Sequence, residues 1–507
     1  MSTVSSKPGS SVDVPQARRA SRRARVASRV RRVPLPLAVL LALALVQGVA
    51  WATFTAPLNG PDEPAHVAYA QHLAETGTAP GQTTGSGVVS TEENTAGYGL
   101  GLLPMVGHLE ARPSWSRIDG VERDLSKLPG SARANGSGPN AVGQNPPLYY
   151  AYMAVAYHLS PNQSFFGRLY SMRLATVALY VVTVGLAWLI ACEVFAAGWM
   201  RFLATAMVAL QPKLAALGGV VNPDTLLVTI STGFLLAGLR LLLRGPSARR
   251  VLAVGLFAGL GALTHGRGLF LVPAGFVVVA LSLVRARPSW RAALRMSAVG
   301  GGALLACLAV AYAWTRAHGP GAFGGEVTQA ADQSFNARQF VSYVWQFYLP
   351  RLESMAPMIG PPYGYRQVYI DSFFGEFGHL EVSYGTATNG LLQLLAGVGL
   401  AGLFASVCAR WHAVRRHWPV IAFAVATFGA LLALLHISAY RDLQVGGDPL
   451  ITGRYLLPCV ALYGLAIAWV VRSLPRPVRL PLSALLVGGA LLLDLAGLSL
   501  TAARFYG

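Results

Sequence analysis

Charge is scarce in this 507-residue chain. Asp, Glu, Lys and Arg make up 12% of it, about half of what a soluble domain carries, which excludes an ordinary soluble protein. Cysteine is scarcer still. The four present, Cys192, Cys307, Cys408 and Cys459, stand singly in or beside apolar runs, so neither a disulfide framework nor a zinc site is implied. No glycine-rich loop follows a strand pattern, which argues against a nucleotide-binding fold. Nor do interrupted helices recur at corresponding places in the two halves, as in a transporter built from inverted repeats.

What is abundant is apolar: 54% of the residues are hydrophobic, and they fall in long runs. The fold class this implies is an all-α polytopic membrane protein of about eleven transmembrane helices with a long first extracytoplasmic loop. The net charge of +19 reads as topology and not as a nucleic-acid footprint, because the basic residues cluster in short connections between apolar runs. Arg201, then Arg244, Arg249 and Arg250, then Arg285 to Arg295, Arg410 to Arg416 and Arg472 to Arg479 mark alternate connections as cytoplasmic.

Taken in order, residues 1–32 form a Ser- and Arg-rich tail, expected to be disordered and cytoplasmic. Residues 33–315 follow as a transmembrane module whose first run, Pro34 to Phe54, is too long for a signal-peptide core and is read as an uncleaved helix. This module includes an external loop at 55–166, in which two pieces are expected to be ordered: a helix beginning near Asp62, and the aromatic segment 144–157, suited to the membrane interface. Between them, 79–142 is expected to be partly mobile. A second external loop covers 316–388, with its Tyr, Trp and Phe read as belt and packing residues, and 389–507 carries the last helices.

This topology gathers the candidate polar residues on one side. Asp62 and Glu63 stand in Pro61-Asp-Glu-Pro64, where the chain leaves the first helix, with His66 one turn on. At helical spacing the three converge on one point. Asp224 follows in Asn222-Pro-Asp, His265 and Arg267 in Thr264-His-Gly-Arg, and Arg454 in Gly453-Arg-Tyr-Leu-Leu-Pro458. Lys213 lies inside an apolar run, where a charge needs a reason. Each has a plainer reading: Asp62 and Asp224 as helix caps, Arg267 snorkelling from a glycine turn. The second loop adds Arg351, Arg366, Asp371, Glu376, His379 and Glu381, and the connection before the tenth run adds Arg441, Asp442 and Asp448.

These motifs, with Asn145-Pro-Pro-Leu-Tyr149, resemble in order and sidedness the GT-C superfamily of membrane glycosyltransferases. More narrowly the chain resembles a bacterial membrane-protein family described as a domain of unknown function, itself similar to protein mannosyltransferases and aminoarabinose transferases. The resemblance implies Asp62 as the catalytic aspartate, Glu63 as its neighbour and Asp224 as the second acidic residue. His66, Lys213, His265, Arg267 and Arg454 become substrate-binding candidates, although His265 and Arg267 depart from the Thr-Lys-Gly of relatives. The implied reaction moves a sugar from a polyprenyl-phosphate donor to an acceptor hydroxyl on the extracytoplasmic face of the cell membrane. That acceptor would be an envelope glycan, lipid, protein or natural product. Arginine alone can neutralise a lipid monophosphate, so no cofactor is required, a divalent ion between Asp62 and Asp224 being the option left open. The alternatives are a lipid-linked saccharide polymerase or transporter of the envelope, and a non-enzymatic scaffold, which gives Asp62, Asp224 and Arg267 no reason to gather.

Overall fold

The computed structural model describes residues 33–78, 80, 89–136, 142, 143, 145–318, 334–360, 364–444 and 451–507. The tail 1–32 and Asp448 lie outside the described residues. Nine described helices are long and apolar enough to cross a membrane. They are α1 (Leu35–Phe54), α6 (Phe165–Val194), α9 (Asp224–Arg244), the stretch Gly266–Ala286 ending in α11 (Leu271–Ala286), and α12 (Trp290–His318). The others are α14 (Thr386–Ala409), α15 (Trp418–Gln444), the stretch Gly453–Ser473 ending in α16 (Val460–Ser473), and α17 (Arg476–Tyr506).

The remaining two apolar runs are shorter helices, and the sequence shows why. Run 201–218 divides into α7 (Gly198–Ala209) and α8 (Pro212–Gly218): Pro212 has no N–H to continue the ladder, and the Gln211 side chain caps the new helix by accepting from Leu214 N at 2.5 Å. Run 251–264 becomes α10 (Ala248–Thr264), 17 residues or about 26 Å long. Both still traverse the bundle. Asp224 at the start of α9 lies 2.7 Å from Arg267 just ahead of α11, so α10 must carry the chain back from the far end of α9. By the same logic α7 and α8 return it from the end of α6. Among the described residues the apolar runs thus form nine long helices and two shorter ones, α7–α8 and α10.

The spans differ in burial. The apolar window of α9 is 83% buried, that of α12 and of α14 only 11%. α9 is the central post: Thr229 bonds Thr183 of α6 at 2.8 Å, and Phe234 packs on Phe423 of α15. Leu305, Leu394 and Phe404 on the outer helices are exposed, as lipid-facing residues are. Between apolar helices in lipid, association depends on close packing. α10 and α12 meet through Gly255, where a Cβ would come within 2.0 Å of the Gly300 carbonyl oxygen.

At one end the first loop folds onto the bundle. It carries α2 (Glu63–Thr76), α3 (Thr91–Gly99), α4 (Ile118–Lys127) and α5 (Leu148–His158). Leu58, Tyr69, Leu100, Met105, Tyr149 and Met153 form its core. The stretch expected to be partly mobile thus holds two helices within 89–136, with Ser90 capping α3 and Glu92 pairing Arg168 of α6 at 2.6 Å. The aromatic α5 buries Tyr149 and Tyr150 against its neighbours and leaves Val155 exposed. In the second loop, α13 (Ala337–Tyr348) and Tyr369 surround His436, so those aromatics pack.

Candidate active site at one end of the bundle

Four chain segments converge where α1 ends. The first is the turn Asn59-Gly-Pro-Asp62. Asp62 has φ 56°, a left-handed conformation costly for a residue with a Cβ, and its carboxylate makes no capping bond to α2. Instead Oδ2 accepts from Arg454 Nη2 at 2.8 Å, and the side chain remains 47% exposed. Burial pushes the Asp62 carboxyl up, but the Arg454 charge, helped by His66, outweighs it and holds the group below its ordinary value.

Asp224 heads α9, and its N–H donates to Asn222 Oδ1 at 2.9 Å. Its own carboxylate does not cap either. Oδ1 accepts from Arg267 Nη2 at 2.7 Å, while Oδ2 stands 3.8 Å from Arg454 Nε. Neither aspartate side chain therefore serves as a helix cap.

Arg267 sits in the turn Gly266–Phe270 and does not snorkel outward: its guanidinium lies over the Tyr455 ring at 3.6 Å. His265 Nδ1 accepts from Arg267 N at 3.1 Å, and burial with the Arg267 charge keeps this imidazole well below its ordinary pKa. Arg454 sits in the turn Gly453–Cys459. Gly453 permits that turn to close on the second loop, since its Cβ would fall 2.3 Å from Phe373 N; its N–H donates to Ser372 Oγ at 2.5 Å.

Arg454 is buried, Arg267 mostly so, and both are incompletely used. Arg267 Nη1, Arg454 Nε, Arg454 Nη1 and Asp224 Oδ2 have no hydrogen-bond partner. Buried donors left unpaired are costly and rare, so this is where the fold keeps unused capacity to donate.

Three expected residues stand apart. Glu63 does not join Asp62: because Asp62 is left-handed and outside α2, helical spacing does not apply between them, and Glu63 turns into the protein with no exposure. It meets Arg173 of α6 at 2.6 Å. His66 lies near the aspartates but bonds Tyr150 OH through Nδ1 at 2.9 Å. Burial lowers it to about 4, against the pull of Asp62 and Asp224, so it is neutral at pH 7. Lys213 is buried beneath the turn and donates to the Glu376 carbonyl. Glu381 pairs Arg504 at 3.1 Å and Asp371 accepts from Gln393 at 2.8 Å, both away from the aspartates.

Two contributors have no assigned role in the sequence reading. Tyr455 adjoins Arg454 in the motif itself, and Arg173 is an arginine inside an apolar run, the same signal that marks Lys213.

The chain matches the family described as "Predicted membrane protein (DUF2142)" over residues 45–463. It belongs to that family. We found no match among curated proteins. Among solved structures, this DUF2142 protein is similar to ArnT from Cupriavidus metallidurans bound to undecaprenyl phosphate, with 16% identity and TM-score 0.44 over 90% of this chain and 63% of that one. It is also similar to the Archaeoglobus fulgidus oligosaccharyltransferase in the apo form, with 13% identity and TM-score 0.48 over 94% of this chain and 56% of that one. The same oligosaccharyltransferase tethered to an acceptor peptide gives 14% and 0.42 over 93% and 55%. The chain therefore spans about three fifths of the length of these proteins.

Proposed function

We propose that this DUF2142 protein is a membrane glycosyltransferase that moves a sugar from a polyprenyl-phosphate donor to an acceptor hydroxyl. The positive-inside pattern supports a site at the extracytoplasmic face of the cell membrane. One observation carries the reading: Arg267 and Arg454 keep buried, unpartnered N–H groups beside the half-exposed carboxylate of Asp62, at the end of the bundle where the first loop folds onto it. Guanidinium groups match phosphate oxygens in shape and charge.

The chemistry follows from these positions. Asp62 takes the proton of the acceptor hydroxyl as its oxygen bonds to the anomeric carbon. The bond from that carbon to the phosphate oxygen breaks, and the lipid phosphate leaves with the electron pair. Its growing charge is met by Arg267 and Arg454, whose fixed orientation needs no rearrangement during the step. Asp224 holds both guanidinium groups in place, and Tyr455 lies beneath Arg267. The arginines supply the positive charge the leaving group requires, so we infer that a chelator leaves transfer intact. ArnT bound to undecaprenyl phosphate suits the donor class, and the peptide-tethered oligosaccharyltransferase shows one kind of acceptor in a similar protein.

The test is label transfer by the purified protein in lipid, from a panel of radiolabelled polyprenyl-phosphate sugars to envelope extract. Wild type transfers label from at least one donor, and Asp62→Asn, which keeps size but loses the base, does not. Transfer undiminished in Asp62→Asn removes the aspartate from the mechanism. No transfer from any donor overturns the proposed activity.

A further inference from the structure

Glu63 and Arg173 form a second arginine–carboxylate pair close to the site, and the mechanism above makes no use of it. Both side chains are wholly buried. Arg173 has five N–H donors, and the structure employs all of them. Nε and one Nη2 proton bond the two oxygens of Glu63 at 2.8 and 2.6 Å. The others reach the carbonyls of Ala52, Thr55 and Ala56 at 2.7–2.8 Å, fixing the end of α1.

Glu63 is used as completely. Besides Arg173, its Oε2 accepts from Gly60 N and its Oε1 from Val221 N, each at 3.0 Å. These two amides belong to different segments: Gly60 lies two residues before Asp62, and Val221 three before Asp224. A further bond, Asn222 Nδ2 to the Pro61 carbonyl at 2.9 Å, joins the same turns. One carboxylate thus grips both chains that deliver the aspartates, and it does so where Asp62 must be held against its left-handed strain.

We propose that Glu63 and Arg173 are positioning residues which set the separation of Asp62 from Asp224. The proposal rests on the reading of those aspartates as the reaction centre. Its structural half, that one carboxylate couples the two turns, stands on the hydrogen bonds alone.

Glu63→Gln is the direct test, because it keeps shape but puts NH₂ where one oxygen accepted two bonds, so an amide in one turn loses its partner. Hydrogen exchange is followed in peptides covering 55–62 and 217–224, with 118–127 as control, alongside transfer kinetics of the reconstituted protein. The expected result is faster exchange in both turns together, by about tenfold, with the control unchanged. In transfer, kcat falls about tenfold while the donor KM stays within twofold. Asn222→Ala removes the second tie and is expected to move both readouts the same way, by about threefold, so it decides the matter if Glu63→Gln does not fold. Loosening of one turn only, or of all three peptides equally, overturns the coupling. Loosened turns with unchanged kcat overturn the positioning role. If wild type transfers nothing, the glycosyltransferase reading fails, while the exchange results still decide whether the clamp exists.

Discussion

Two arginine–carboxylate clusters stand side by side at one end of this bundle, built from the same chemical groups to opposite effect. In the Arg173–Glu63 cluster every donor has an acceptor and nothing is exposed. In the Arg267–Arg454 cluster three N–H-bearing nitrogens and one carboxylate oxygen are left over, and Asp62 reaches solvent. A saturated cluster can only hold the chain; an unsaturated one has bonding capacity to offer. The two are linked through adjacent residues, Asp62 and Glu63, one in each. Incomplete pairing, which costs stability, is tolerated where it serves a ligand, and the neighbouring saturated pair offsets that cost by fixing the backbone around it.

The comparison is broken most severely at Arg173. Arg173→Met strands Glu63 as a buried unpaired charge and should cost about 3–5 kcal/mol, read as a large drop in thermal unfolding temperature in detergent. The same change at Arg454 leaves Asp62 half-hydrated and Asp224 still paired with Arg267, so stability should fall by less than about 1 kcal/mol. Equal losses at the two sites contradict the distinction. Next, Asp62→Asn should lower transfer by about 10²–10⁴-fold, the usual worth of a positioned base, with unfolding temperature little changed. Arg267→Lys keeps charge but loses the planar fork and its stacking on Tyr455. Donor KM should rise about tenfold, and Tyr455→Leu should give a smaller rise, of about 0.5–1 kcal/mol in donor binding.

The smallest effect is that of pH. Arg454 holds Asp62 below its ordinary value of 3.8, so the carboxylate is ionised throughout the neutral range and the stability of its ion pair is lost only as pH falls through the depressed value. His66, lowered to about 4, is uncharged throughout the same range. Transfer should therefore show no acid limb near pH 6, and a limb there implicates another group.

Much of this was legible before the fold was seen, for identifiable reasons. Basic clusters at alternate connections fix which polar residues share an end, so Asp62, Asp224, Arg267 and Arg454 could be grouped without a structure. Their pairing could not, because it joins residues as far apart as 62 and 454. Glu63 was misplaced beside Asp62 because nothing in Pro-Asp-Glu-Pro announces a left-handed aspartate. α3 was hidden for another reason: Thr91–Gly99 is short, polar and contains two glycines, and tertiary ties such as Glu92–Arg168 hold it. α4 was not expected either, although Ile118, Val121 and Leu125 recur at helical spacing.

The most direct measurement is lipid binding by the purified protein, comparing decaprenyl phosphate with decaprenol, which has the same chain and no phosphate. Wild type should prefer the phosphate, and Arg267→Gln/Arg454→Gln, with the three unpartnered guanidinium nitrogens gone, should bind the two lipids alike. A wild type that does not distinguish them, or a double variant that still does, would contradict the claim that this unsaturated cluster is a phosphate site.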